Sequence, residues 1–282
     1  MSDRHIFRLS GPDARSFLQG LITNDIAKLK GGGVYAALLT PQGKYLCDFF
    51  LLDGGGGDVL IDVSVAQAPV LAQKLQMYGL RRKAAVSVEQ GCEIALAWGG
   101  NGEVLAGDGA VADPRDPALG WRRYGPDATG WLTRHGIASV TASERDAVRI
   151  ARVIPESGVE LVPDDTYILE AGFERLSGVD FSKGCYVGQE VTARTKYRGL
   201  LRRRLAPVTI DGAPAEGETR IMADGRDVGE LRAHAGGQGL ALLKLETIAS
   251  GQPLTCGGAA VTAHVPDWWR LPEQEAGTGS AD

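Results

Sequence analysis

The sequence predicts an α+β protein that ends in a small all-β domain. Over the first ninety residues, short β-type runs alternate with segments of helical spacing. After Leu200 the character changes to short β-type segments separated by turns at Asp211-Gly212, Asp224-Gly225, Gly236-Gly237 and Gly257-Gly258, the pattern of a sandwich or barrel. A chain of 282 residues with 44% apolar content is long enough for two or three modest domains without covalent staples. The expected divisions are an N-terminal α+β domain over 1–92, a second α+β region over 93–200, a β-barrel domain over 201–272 and a disordered polar tail over 273–282.

Ile6 to Leu9 reads as a short strand. Ser10-Gly11-Pro12-Asp13 then reads as a helix start, with a hydroxyl cap, a proline in the first turn and an early acid. Phe17, Leu18 and Leu21 form its apolar stripe, and Gly20 is its stop. Val34 to Leu39 and Tyr45 to Leu52 read as antiparallel partners around the turn Thr40-Pro41-Gln42-Gly43. Four glycines, Gly54 to Gly57, lead into a strand over Asp58 to Val63. Val65 to Tyr78 has helical spacing, with Val70, Leu71, Leu75 and Tyr78 on one side. Ala84 to Val88 reads as a strand, and Cys92 to Gly109 as a strand with a glycine-rich hairpin. Thr141-Ala-Ser-Glu144 is a capping-box pattern that opens a helix through about Val153.

Bulk properties exclude several classes. A net charge of −5 argues against non-specific polyanion binding, so no direct nucleic-acid role is expected. The four cysteines, Cys47, Cys92, Cys185 and Cys256, lie far apart without a Cys-x-x-Cys pair. That speaks against a structural metal site and against a disulfide framework. The N-terminus lacks the pattern of a signal or transit peptide, and no run approaches the ~18 apolar residues of a membrane span. The expectation is a cytoplasmic protein with no membrane partner.

Lys183-Gly184-Cys185-Tyr186-Val187-Gly188-Gln189-Glu190 is the stretch richest in chemistry. An extended piece over Gly178 to Phe181 and a turn over Ser182 to Gly184 precede a helix from Gln189 to Lys196, which sets Cys185 at or just before a helix N-terminus. Unsatisfied helix N–H groups and the neighbouring Lys183 both favour a thiolate. Gly184 and Gly188 leave bare backbone for close approach of a ligand, and Glu190 and Arg194 are spaced to pair along the helix. Cys185 and Lys183 are therefore the expected reactive residues. Cys47, Cys92 and Cys256 sit in apolar or turn surroundings that suit core or incidental roles.

Lys-Gly-Cys-Tyr-x-Gly-Gln-Glu, continued by Val191 to Gly199, resembles the signature of the YgfZ family, folate-binding proteins of iron–sulfur cluster assembly. Gly11 to Asp25, Leu39 to Phe49, Asp113-Pro-Arg115 and Leu119 to Arg122 resemble other segments of that family in the same order. The resemblance covers about residues 6–210 and extends to the superfamily of the glycine-cleavage aminomethyltransferase, the T-protein. It implies a T-protein-like fold around a tetrahydrofolate channel, with a C-terminal small β-barrel. It assigns folate contacts to Asn24, Asp25, Asp48, Arg115 and Glu170, and places Tyr186, Gly188, Gln189, Glu190, Arg194 and Arg198 in the working motif. A carboxylate at Glu170 suits the adjacent ring N–H and amino donors of a pterin. One departure is Cys47-Asp48, where T-proteins carry a tandem acidic pair. Another concerns the tryptophans of some bacterial members near the folate site, because Trp98, Trp121, Trp131, Trp268 and Trp269 fall elsewhere. The basic run of Arg194, Lys196, Arg198 and Arg202 to Arg204 suits either an anionic folate tail and acidic partners or a solvated surface.

Three functions compete. The first is a tetrahydrofolate-binding accessory factor for assembly or repair of [4Fe–4S] proteins, acting with iron–sulfur assembly proteins or client enzymes and only indirectly on tRNA-modifying enzymes. The second is a tetrahydrofolate-dependent aminomethyl- or methyltransferase. The third is a redox or scaffold module in which Cys185 forms transient disulfides with a partner.

Overall fold

In the computed structural model, residues 3–98 and 109–269 are described. They form two compact units, divided between Leu201 and Arg202. The ranges 1–92 and 93–200 both lie in the first unit. The tail 273–282 and most of the glycine-rich segment after Trp98 lie outside the described residues.

The first unit is built on a five-stranded antiparallel sheet in the order β2-β3-β4-β1-β5, comprising β1 (Arg4–Ser10), β2 (Val34–Leu39), β3 (Tyr45–Gly55), β4 (Asp58–Ser64) and β5 (Ala85–Val88). Strand β2 is buried along its whole length because both faces are covered. Val34, Ala36 and Leu38 join a core with Phe17 and Leu18 of α1 (Ala14–Gln19) and Leu71 and Leu75 of α2 (Ala68–Gly79). Tyr35, Ala37 and Leu39 face a second core, formed with residues between Ile154 and Tyr186.

A β-bulge fixes the site. Leu38 pairs with Cys47 and Leu39 with Tyr45, so Leu46 is left over. Leu46 and Cys47 both enter the first core. Tyr45 and Asp48 thereby come to share the opposite face, although a regular strand would set residues three apart on opposite faces.

A three-stranded sheet in the order β6-β8-β7 follows, from β6 (Glu93–Ala97), β7 (Val111–Ala112) and β8 (Trp121–Gly125), with α3 (Ala128–Arg134) packed on β6. Helix α4 (Ala142–Ala151) opens with the expected capping box, in which Thr141 and Glu144 each satisfy the other's backbone N–H. It stops short of Val153, which takes a left-handed φ of 53°. Helix α2 begins at Ala68 rather than Val65. Its buried side is Ala68, Leu71 and Leu75, whereas Val70 falls off that face and is exposed.

The second unit is a closed six-stranded barrel in the order β10-β11-β12-β9-β14-β13, with β9 (Arg203–Asp211), β10 (Arg220–Ala223), β11 (Arg226–Ala235), β12 (Gln238–Lys244), β13 (Leu254–Cys256) and β14 (Ala259–Ala263). Closure leaves no free edge. Asp224-Gly225, Gly236-Gly237 and Gly257-Gly258 are two-residue hairpin loops in which both residues have positive φ, the conformation those dipeptides favour. Alternate residues Ala206, Val208 and Ile210 point inward with Ala241, Leu243 and Val261.

Candidate functional site

The motif forms a short arch in front of α5 (Gln189–Tyr197). Asp180 sets its approach by accepting hydrogen bonds from the backbone of Ser182 (2.7 Å) and Lys183 (3.1 Å) while pairing with Lys28 (2.8 Å). At the far end, Gly188 caps the helix with φ 82°, and a Cβ on it would lie 2.5 Å from the Thr40 carbonyl oxygen. A Cβ on Gly43, across the contact, would lie 2.9 Å from the Val191 side chain. The two glycines let the Thr40–Gly43 turn and the start of α5 touch backbone to backbone.

Cys185 is exposed and lies three residues ahead of Gly188, so it precedes the helix rather than capping it. Lys183 does not turn toward the thiol as the sequence suggested. Its ammonium is buried and donates to the carbonyls of Gln19 (2.7 Å), the last residue of α1, and Ile22 (2.6 Å), three residues further on. Burial pushes it down to about 8, against the pull of Asp25 and Asp180. Tyr186 is buried in the second core, and Gln189 accepts a hydrogen bond from the Tyr186 N–H (3.3 Å). Glu190 and Arg194 are both exposed, and no ion pair joins them among the described residues. The pair formed by α5 is Lys196–Glu174 instead. Arg198 is exposed at its end.

Asn24 and Asp25 are occupied within the chain. The Asn24 amide donates to the carbonyls of Tyr35 (2.8 Å) and Ser177 (2.6 Å), and its oxygen accepts from Asp25 N (2.8 Å) and Lys28 (2.9 Å). Asp25 caps the short helix over Ile26–Gly31 by accepting from Ala27 N (2.8 Å). Neither lines the cavity described next. In the same opening segment, the carbonyls of Gln19, Gly20 and Ile22 accept hydrogen bonds from the motif.

The cavity lies on the second-core face of the sheet, where Asp48, Phe50, Trp98 and Arg115 line it. Its volume is about 70 Å³, and it shares Asp3, Leu96, Trp98 and Arg145 with a more open cavity of about 340 Å³. Asp48, 5% exposed, accepts hydroxyl donors from Tyr35 (2.9 Å), Tyr45 (2.5 Å) and Ser157. Gln67 donates to Tyr45 Oη (2.5 Å) and fixes that phenol. Burial, reinforced by the Asp48 charge, pushes both phenols up, so they act as donors. Arg115 grips Asp113 with two hydrogen bonds (3.0 and 2.9 Å). Arg122 bridges Asp113 (3.2 Å) and Asp62 (2.7 Å), and Arg4 completes the chain on Asp62 (2.6 Å). Burial opposes the charge on Asp113, yet Arg115 and Arg122 outweigh it and hold the carboxyl at about 2. The Arg122 and Arg115 guanidiniums lie 3.8 and 4.7 Å from the Phe50 ring centre. The charged side chains that line the cavity are five guanidiniums, Arg4, Arg115, Arg122, Arg145 and Arg149, and four carboxylates, Asp3, Asp48, Asp113 and Glu156.

The structure unites Asp48 and Arg115 of the expected folate set. Glu170 is buried in the turn after Tyr167 and does not line this cavity. Trp98, set aside from the folate site on sequence, does line it. Tyr45 and Ser157 were missed: the bulge at Leu46 hides the first, and no local pattern marks the second. Cys47 is fully buried in the first core, which places it away from Asp48's face, and burial pushes its thiol up. Cys185 is not among the residues that line this cavity, so thiol and cavity are separate features. Among the described residues, no group of three or more His, Cys, Asp and Glu side chains gathers to hold a metal ion. No helix there is long and apolar enough to cross a membrane.

This fold is shared with the T-type aminomethyltransferases. The solved glycine cleavage system aminomethyltransferase T of Bartonella henselae superposes with a TM-score of 0.76 over 93% of this chain and 83% of that one, at 16% identity. Residues 202–271 match the model of the CAF17 C-terminal β-barrel domain. The mitochondrial iron–sulfur cluster assembly factor IBA57 of Mus musculus is 33% identical over 95% of this chain and 84% of its own length. The Homo sapiens protein of the same name is 34% identical with the same coverage, and a Phaeosphaeria nodorum homologue is 31% identical over 90% of this chain and 72% of its own. The chain belongs to the IBA57 family of iron–sulfur cluster assembly factors. The expected cytoplasmic placement is corrected by the same finding, because these relatives are mitochondrial proteins.

Proposed function

We propose that this protein is a tetrahydrofolate-binding accessory factor in the assembly or repair of [4Fe–4S] proteins, with Cys185 as its working thiol. The observation that carries the reading is an exposed cysteine, presented by a YgfZ-like signature, in a chain about one-third identical to iron–sulfur cluster assembly factors. Its partners are iron–sulfur assembly proteins or client enzymes. Any effect on tRNA modification runs through clients that need a cluster.

The Asp48 cavity is the folate seat in this reading. A reduced pterin presents ring N–H and amino donors, which match the buried acceptor at Asp48. Phe50 and Trp98 supply apolar surface, and Arg115, held on Asp113, lines the same cavity. Bound tetrahydrofolate supplies a carrier for one-carbon units. The chain's own part is to bind the ring, fix Asp48 through Tyr35, Tyr45 and Ser157, and keep the thiol on a separate surface. The alternative of an aminomethyltransferase rests on the fold alone, since the first acid of the tandem pair is the core residue Cys47.

A tetrahydrofolate titration tests the proposal. The wild type binds saturably, Asp48→Asn loses about 10- to 100-fold in affinity, as expected for a charge-assisted hydrogen bond worth ~1.5–3 kcal/mol, and Cys185→Ala binds as wild type. Equal binding by Asp48→Asn, or none by the wild type, contradicts the seat.

A further inference from the structure

We infer that Lys183 is a positioning residue for Cys185: its amine clamps one foot of the Gly184–Cys185 arch onto the carbonyls of Gln19, the last residue of helix α1, and Ile22, three residues beyond it. The inference rests on the reading of Cys185 as the working thiol, and it gives the motif's lysine a task other than activating it.

Two of the amine's three donors are engaged. They point to the carbonyl oxygens of Gln19 and Ile22, at 2.7 and 2.6 Å. The amine also lies 4.9 Å from the ring centre of Tyr186. Gln19 ends helix α1, where the last carbonyls lack partners within the helix and are free to accept from the amine. The residue is only 6% exposed, and the charged groups around it are Asp25, Asp180 and, through Asp180, Lys28.

The other foot is held independently. Val187 N donates to the Gly20 carbonyl (3.3 Å), one residue beyond Gln19, and Gly188 is wedged against Thr40. Both feet therefore stand on the Gln19–Ile22 segment and the hairpin turn, and only Gly184 and Cys185 stand clear. A Cβ at Gly184 would meet nothing within 4 Å. The thiol is thus carried on a two-residue span between two fixed points. A lysine that tuned the thiol would direct its amine outward beside it, whereas this one is spent inward.

The full chain tests this through Lys183→Met, which keeps the stem and loses the donors, and Lys183→Arg, which keeps a donor and the charge. Amide hydrogen exchange and the pH profile of Cys185 alkylation by iodoacetamide, followed by peptide mass spectrometry, are the readouts. In Lys183→Met, exchange accelerates at least tenfold in residues 183–188 and 19–23 and nowhere else. The alkylation rate at the high-pH plateau changes while the midpoint of the profile stays in place, and Lys183→Arg restores the exchange pattern at least in part. A shifted midpoint with unchanged exchange would make Lys183 the acid–base partner of the thiol and overturn the clamp. No change in either readout would overturn it as well.

Should Lys183→Met fail to fold, reductive methylation of the wild type decides. A clamped Lys183 is labelled at least tenfold more slowly than exposed lysines such as Lys196, and labelling at their rate overturns the proposal. None of these readouts uses cluster chemistry, so a dispensable Cys185 would refute the functional reading while leaving the clamp standing.

Discussion

Asp48 is a buried carboxylate whose fixed donors are neutral hydroxyls rather than a cation. Hydroxyls stabilise the charge without cancelling it, so a ligand donor arriving in the cavity still meets a negative centre. Tyr45→Phe removes one of these donors and strands Gln67. It should lower stability by about 1–3 kcal/mol in denaturant unfolding and weaken tetrahydrofolate binding in the same titration as Asp48→Asn. Lys183 makes a pH-dependent prediction of opposite sense to a lysine whose charge is stabilised by folding. Its folded-state value is lowered to about 8, so between there and ~10.4, the usual lysine value, the unfolded chain holds the extra proton. Stability therefore rises with pH across that window, with a slope of at most ~1.4 kcal/mol per pH unit from this group. The wild type should gain on Lys183→Met as pH climbs above 8. A stability difference that stays flat or shrinks would mean the amine is not held as described.

At the scale of elements, the hairpin and the arch determine what the sequence could reveal. The β2–β3 hairpin was legible from two apolar runs around Pro-Gln-Gly. The face that Asp48 occupies was not, because one extra residue at Leu46 breaks the alternation and no composition signal marks a bulge. The same limit applies to Asn24, Asp25 and Glu170: a motif match identifies residues that matter without saying whether they hold a ligand or hold the chain. Conversely, the capping box at Thr141 and the paired turn residues of the barrel are local rules with local outcomes, and the structure follows them. The arch separates its two glycines sharply. Gly188→Ala forces a left-handed φ and a 2.5 Å contact onto the hairpin turn, and should cost about 2–4 kcal/mol. Gly184→Ala meets open space at an ordinary φ and should stay within about 1 kcal/mol of wild type. Thermal or denaturant unfolding of the two variants checks the contrast, and equal losses would refute the packing.

For the whole molecule, the α+β unit and the barrel follow from composition and turn spacing, whereas the layout of the first unit does not, since one face of its sheet is covered by a segment distant in sequence. Residues 154–186 close one face through contacts such as Thr23 to the Gly178 carbonyl (2.6 Å), 155 residues away in sequence. No local window reports such pairing, and the family resemblance supplied what periodicity left open. The protein is an iron–sulfur cluster assembly factor by family, and in the proposed reading its folate seat and its thiol are distinct features of one scaffold. The most direct test of that account is the activity of a [4Fe–4S] enzyme in cells whose only copy of this factor is Cys185→Ala, expressed at wild-type level. The account predicts that the enzyme falls to the activity of cells lacking the factor, with its protein still present but short of cluster. Wild-type activity in those cells would contradict it.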